Sequence, residues 1–249
     1  MKKSVIASLL MLILVSPLIN AITFKRYTGE RSFYLPNYSS DMGETIYEKH
    51  SYEIDFPADD SSSLNTLILK EVFGKNSTTL NDAIETFLNT FIDENSDERP
   101  QLVNNSSDGM WVQEKIVRGN LKYQSSDLIV YEDIWYEYIA GSARGMSAVS
   151  YINYYEPLER DLTIFDLLLV SKKALINKAI RRNAHTVSDI LYSSDVINNI
   201  GYSETFYLSE KGITFVYPPY EIGPYITDIT VPKSHLAGCL TPLGKKLIK

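Results

Sequence analysis

The chain has 249 residues, 44% of them hydrophobic and 22% charged, which excludes an intrinsically disordered polypeptide. Its formal charge of −7 argues against a duplex nucleic-acid binder, whose affinity comes from Lys and Arg laid along phosphates. A single cysteine, Cys239, excludes both a disulfide-stapled scaffold and a cysteine-rich zinc site.

Lys2 and Lys3 lead a mostly apolar stretch from Val5 to Ile19, and Asn20-Ala21 supplies a small residue at a plausible cleavage point. This is the tripartite layout of a secretory signal peptide, with an apolar core short of the about 20 residues a membrane helix needs. The expectation is a signal over 1–21 and an exported bacterial protein, periplasmic or extracellular. No transmembrane segment is expected in the mature chain. Cys239 then sits in an oxidising compartment, where burial as a small hydrophobe is the plain reading.

From His50 to Phe56 the residues alternate, with His50, Tyr52, Ile54 and Phe56 on one face, which predicts a half-buried strand stopped by Pro57. Leu64 to Phe73 reads as a second extended apolar run. Thr79 with Asp82 predicts a capped helix whose stripe is Leu80, Ile84, Phe87, Leu88, Phe91 and Ile92. Asp93 to Asp108 is the most polar stretch and the candidate boundary between an N-terminal domain, 22–108, and a C-terminal domain, 109–249. Beyond it, Trp111–Val117, Asn120–Tyr123 and Leu128–Ala140 predict strands, and Met146–Tyr155 an antiparallel return across a turn at Gly141–Gly145. Ser171 is read as the cap of a helix to about Ala184 with Leu175, Ile176, Ala179 and Ile180 inward. A last hairpin, Phe206–Leu208 with Ile213–Tyr217, and a strand over Ile226–Val231 follow. The class expected is α+β: antiparallel sheets packed with single helices, in two similar-sized halves.

Tyr138-x-x-Gly141-Ser142-Ala143-Arg144-Gly145, then Tyr151-Ile152-Asn153-Tyr154, then Leu162-Thr163-Ile164-Phe165-Asp166-Leu167-Leu168, resembles the RsiV-type domain of unknown function. The ending agrees, from Gly212-Ile213-Thr214-Phe215 through Tyr220-Glu221-Ile222-Gly223-Pro224-Tyr225 to Val231-Pro232. The upstream half, about residues 40–108, is similar to the partner domain found in PdaC-type peptidoglycan deacetylases. The resemblance implies an exported or membrane-anchored envelope protein. An anti-sigma factor of this type binds lysozyme through its extracellular domain. Arg144 stands where the family's turn carries histidine, and Thr227 where glycine is common. This sequence shows neither a sigma-binding segment nor a deacetylase domain, so neither signal relay nor deacetylation is expected of it.

Alternation along the strand at 128–140 places Tyr131, Asp133, Trp135 and Glu137 on one face. Rings that stack on a pyranose beside carboxylates that accept its hydroxyls suit glycan binding; an amphipathic strand beneath a helix shows the same pattern. Tyr151, Asn153 and Tyr155 on the returning strand could extend that face, depending on register. Asp133 and Glu137 are about 13 Å apart along a strand, beyond the roughly 5–9.5 Å of glycoside hydrolysis. The three histidines lack metal-ligand spacing, and His50 reads as a hydrogen-bonded core residue. No nucleophile elbow or phosphate loop occurs, so neither cofactor nor metal is expected. Lys172, Lys173, Lys178, Arg181 and Arg182 make one helix basic, by default a solvated face. Arg144, Tyr220 and Tyr225 complete the candidate ligand rim, although the loop at 220–225 also reads as structural.

These residues favour an exported, non-enzymatic cell-envelope binding module for a cell-wall glycan or a lysozyme-like protein. Two rivals stand beside it. One is an envelope carbohydrate-active hydrolase using carboxylates from separate strands; the other is a structural or partner-assembly protein whose aromatics are all core.

Overall fold

The structure is a computed structural model that describes residues 21–39, 45–59, 62–74, 77–90, 101–103, 111–139 and 142–248. The expected signal at 1–21 lies outside these residues except for Ala21, as do Phe91, Ile92 and most of the expected boundary stretch.

Two long strands, β1 (Phe24–Ser39) and β2 (Thr45–Pro57), pair antiparallel from Phe24 opposite Pro57. Two helices follow, α1 (Ser62–Phe73) and α2 (Leu80–Leu88). The short β3 (Gln101–Val103) adds to the outer edge of β1. Next come β4 (Trp111–Gln124), β5 (Leu128–Tyr138), β6 (Met146–Tyr155) and β7 (Arg160–Asp161), completing a sheet of order β3-β1-β2-β4-β5-β6-β7. β4–β7 are antiparallel neighbours, but β2 and β4 run parallel, Ile46 opposite Trp111. A parallel pair needs a long crossover, and α1 and α2 lie within it. The expected boundary after residue 108 therefore separates two strands that are neighbours in one sheet.

Leu64–Phe73 is helical, not extended. Leu64, Ile68 and Val72 recur every four residues and are buried in one cluster with Leu69, whereas a strand would turn the adjacent Ile68 and Leu69 to opposite faces. The run Leu67-Ile68-Leu69 hid that period. The Asp82 N–H donates to the Thr79 hydroxyl at 3.2 Å, so α2 is capped as its sequence requires.

The remaining chain builds a second layer. Its helices are α3 (Ile164–Leu167), α4 (Lys173–Ala184), α5 (Ser194–Asn199) and α6 (Pro242–Leu247). Its sheet is β10-β9-β8, from β8 (Phe206–Ser209), β9 (Gly212–Tyr217) and β10 (Thr227–Val231). Ser171 does not cap α4: a 3₁₀ turn over Val170–Lys172 comes first, and Lys172 holds the cap position without a side-chain bond. Nor does Leu175 face inward. The buried stripe is Ile176, Ala179, Ile180 and Ala184, and Leu175 lies one residue, about 100°, off it.

Two cores share β5. Ile129 and Tyr131 pack with Ile54, Leu64, Ile68 and Ile152 beneath α1 and α2, while Leu128 and Val130 pack with Ile176, Ile180, Phe215 and Tyr217. A strand covered on both faces is apolar without alternation, as Leu128-Ile129-Val130-Tyr131 is. Asn153, buried on β6, joins the sheets: its amide donates to the Phe206 carbonyl at 3.0 Å and its oxygen accepts from the Leu208 N–H at 2.9 Å. Cys239 is buried and free. Among the described residues, no helix is long and apolar enough to cross a membrane.

Candidate functional site

The face that carries Tyr131, Asp133, Trp135 and Glu137 is turned toward α1 and α2. Register places Lys115 opposite Glu137, Val117 opposite Trp135 and Gly119 opposite Asp133, so all point to the helix side. Tyr131 is fully buried, its hydroxyl donating to the Asp55 carbonyl at 2.7 Å. It lies flat across Gly119, where a Cβ would meet the Tyr131 hydroxyl. Burial and the neighbouring Asp55 charge push its phenol well above the usual range. Trp135 packs partly buried against the same core.

Asp133 is buried. One carboxylate oxygen, Oδ2, accepts from the Ser150 hydroxyl at 3.4 Å, and the other, Oδ1, has no hydrogen-bond partner. Burial pushes its carboxyl up to about 7; the Ser150 hydroxyl opposes the rise and the Glu71 and Glu132 charges add to it. Because the folded value exceeds the unfolded one of about 3.9, Asp133 contributes stability below pH 4 that is lost as pH rises through about 7. Asp133→Asn is accordingly expected to be more stable than wild type at pH 8 by up to about 4 kcal/mol, with the gap closing by pH 4. Urea unfolding at several pH values tests this; a gap constant across that range would refute it.

Glu137 and Trp135 border a cavity of about 220 Å³ with Phe73, Thr86, Phe87, Thr90 and Lys115. Asp133 does not line it, so the candidate acid pair shares no cleft here. Nearby, His50 is the core histidine expected: its Nδ1 meets the Leu88 carbonyl at 3.1 Å and its Nε2 lies 2.5 Å from Glu48 Oε1.

Tyr151 and Tyr155 do not extend the Trp135 face. Glu132 stands opposite Tyr151 and Leu128 opposite Tyr155, which puts both tyrosines on the other side of the sheet. Tyr155 is buried, its hydroxyl accepting from the Lys246 ammonium at 2.8 Å. Tyr151 joins a half-buried cluster that the sequence did not reveal. Its hydroxyl donates to Glu132 at 2.9 Å, and its ring sits 4.7 Å from that of Tyr207. Lys122 bonds Glu132 at 2.6 Å and lies over both rings, while the Tyr207 hydroxyl donates to Asp228 at 3.1 Å. Each polar group already has a partner, so this cluster reads as a seam between β6 and the smaller sheet.

Two of the remaining candidates, Arg144 and Tyr220, meet in space. The Arg144 guanidinium stacks over the Tyr220 ring, 4.7 Å from its centroid, although 76 residues separate them in sequence. Tyr220 carries a left-handed backbone, φ +72°, a strained setting for a side chain with a Cβ. Its N–H donates to the Gly223 carbonyl at 2.7 Å, and a Cβ on Gly223 would meet the Ile190 carbonyl at 2.5 Å. The Tyr192 N–H donates to the Ile222 carbonyl at 3.2 Å, and buried Ile222 plugs the loop into the core. The loop is therefore rigid while its rings face water: Tyr192, Tyr220 and Tyr225 are 53, 53 and 67% exposed. Tyr192 carried no local signal, because nothing in Leu191-Tyr192-Ser193 shows which loop packs beside it. Among the described residues, no group of three His, Cys, Asp or Glu is placed to hold a metal.

The architecture is that of an α+β protein of two sheets whose exposed aromatic rim is built by loops. Residues 169–234, which include Tyr192, Tyr220 and Tyr225, match the family described as "Protein of unknown function (DUF3298)". The fold is similar to that of a DUF3298 family member from Bacteroides fragilis NCTC 9343, with a TM-score of 0.67 and 18% identity over 91% of this chain and 98% of that one. It is also similar to a DUF3298 family protein from Pseudomonas aeruginosa PAO1, with a TM-score of 0.59 and 16% identity over 89% and 95%. At such identities the likeness is one of fold. No curated protein matches the chain.

Proposed function

We infer that this is an exported, non-enzymatic cell-envelope binding module that recognises a cell-wall glycan or a lysozyme-like protein through the rim of Arg144, Tyr192, Tyr220 and Tyr225. The observation that carries the reading is the rigid display of exposed tyrosines beside a stacked arginine. Interfaces and sugar sites draw their energy from Tyr and Arg anchors held in place before binding, since side chains already ordered lose little entropy. The lysine-led N-terminal stretch supports export. The resemblance to the RsiV-type and PdaC-associated domains supports the envelope as the place of action, by analogy only.

The test is a pull-down on insoluble peptidoglycan and on immobilised lysozyme. Retention on one of them at micromolar protein is expected, and the arm that retains names the ligand class. Tyr220→Ala and Tyr225→Ala should weaken it about 30-fold each, the effect of removing an anchor worth about 2 kcal/mol, with unchanged melting. If neither matrix holds the protein, the reading fails.

A further inference from the structure

Away from the aromatic rim, one face departs from the rest of the molecule in both charge and polarity. Residues 167–188 and 229–249 contain five and four Lys or Arg, respectively, and none of the chain's 31 Asp and Glu. The fold lays these segments side by side: Leu168 and Leu240 form a backbone bridge, and the Leu169 N–H donates to the Cys239 carbonyl at 2.8 Å. With Lys249 outside the described residues, a net acidic chain thus gathers eight of its 24 basic residues in one region, one of them, Lys246, paired with Asp127 at 2.7 Å.

Apolar side chains stand out among them. Phe165, Leu169, Val170 and Leu175 are between 36 and 58% exposed. Phe165 and Val170 border a small cleft with Ile176 and Tyr202, so they are neighbours and not scattered residues. Leu175, Lys178 and Arg182, spaced at three and four residues, share the outer stripe of α4 and are exposed. Lys172 and Lys173 project from the N-terminal end of that helix, where the helix dipole disfavours cations and no acidic residue compensates. Past the Leu168–Leu240 bridge, a shallow concavity of about 670 Å³ continues the face, lined by Lys211, Lys233, Lys245 and Leu240. Local helix stability does not call for lysines at that end, nor folding for bare Phe165 and Val170.

We propose that this face docks reversibly on a bilayer rich in anionic phospholipid. The pairing of features selects that partner. Exposed apolar side chains enter the boundary between headgroups and acyl chains while the surrounding lysines meet lipid phosphates. A soluble polyanion would satisfy the lysines and leave Phe165, Val170 and Leu175 in water. A neutral apolar groove on another protein would cover those three and leave the lysines without counter-charge. The proposal is independent of the aromatic rim and of what that rim binds.

Co-sedimentation of residues 22–249, which hold both cores and omit the apolar N-terminal stretch, measures it. Vesicles of equimolar phosphatidylglycerol and phosphatidylcholine are compared with phosphatidylcholine alone. Partition onto the anionic vesicles should be at least about tenfold stronger and fall about tenfold between low and high salt. Val170→Ser with Leu175→Ser should reduce it about tenfold, as should Lys172→Gln with Lys173→Gln, both pairs melting like the parent. Equal partition onto the two vesicle types overturns the proposal. So does binding that survives the serine pair yet is abolished by soluble polyphosphate, which would make the face a polyanion site. Concentration-dependent self-association without vesicle binding would also overturn it, since a second copy would then be the occupant.

Discussion

Tyr131→Ala is expected to lower unfolding stability by about 4 kcal/mol, within the range for deleting a buried aromatic ring. The ring fills space between Gly119, Phe24 and the helices of the first core, and its hydroxyl satisfies the Asp55 carbonyl. Tyr131→Phe keeps the volume and gives up one hydrogen bond, so about 1 kcal/mol should be lost. Urea titration of both variants checks the pair. A Tyr131→Ala protein within 1 kcal/mol of the parent would show that the ring is not core. The expected loss also disqualifies this substitution as a probe of ligand binding, because failure to bind would report unfolding. Tyr220 and Tyr225 serve that purpose, their rings being exposed.

Asn153→Ala should cost about 3 kcal/mol through a different mechanism. No large volume is removed; instead the Phe206 carbonyl and the Leu208 N–H lose their buried partner together, at about 1–3 kcal/mol for each group left unsatisfied. The effect should also be local. Hydrogen exchange at the Leu208 amide should accelerate more than at Ile68 or Ile84 amides in the first core, because Asn153 fastens the smaller sheet to the larger. Uniform acceleration across both cores would mean that the two layers unfold as one and that the clasp has no separate role. Asn153→Asp is the sharper comparison: a carboxylate can accept from Leu208 but cannot donate to Phe206, and it would sit beside Asp161, which already accepts the Asn153 N–H at 2.6 Å.

Short-range signals were legible in proportion to how local their physics is. The capped helix at Leu80–Leu88, the strand at His50–Phe56, the hairpin at Phe206–Tyr217 and the core placement of His50 each depend on residues a few positions apart. Pro57 and the Thr79 cap mark two of their ends, whereas β2 begins at Thr45, five residues before the alternation does. Leu64–Phe73 reads as extended because three consecutive apolar residues mask its helical period, and Leu175 reads as inward only because it adjoins Ile176, which is on the buried helix face. The long β1 strand, Phe24–Ser39, went unread, since Lys, Arg, Glu and Ser interrupt it and its partners are elsewhere.

The site residues divide along the same line. Alternation correctly grouped Tyr131, Asp133, Trp135 and Glu137, because a strand turns each successive side chain over whatever its neighbours are. It could not say what covers that face, and α1 and α2, supplied by residues 62–88, cover it. Register then sent Tyr151 and Tyr155 to the opposite side, a one-residue matter that reverses every side chain.

By itself the sequence determined that this is an α+β chain with an acidic balance, a lysine-led apolar start and no metal or nucleophile motif. It also marked which residues are aromatic or basic. Only the tertiary structure decided which of them meet water. Burial depends on elements far apart in the chain, and contacts such as Arg144 on Tyr220 or Leu168 beside Leu240 leave no trace in local pattern. That is why Tyr131 and Asp133, on the strand that looks most like a binding face, are core, and a loop that also reads as structural shows its tyrosines to water.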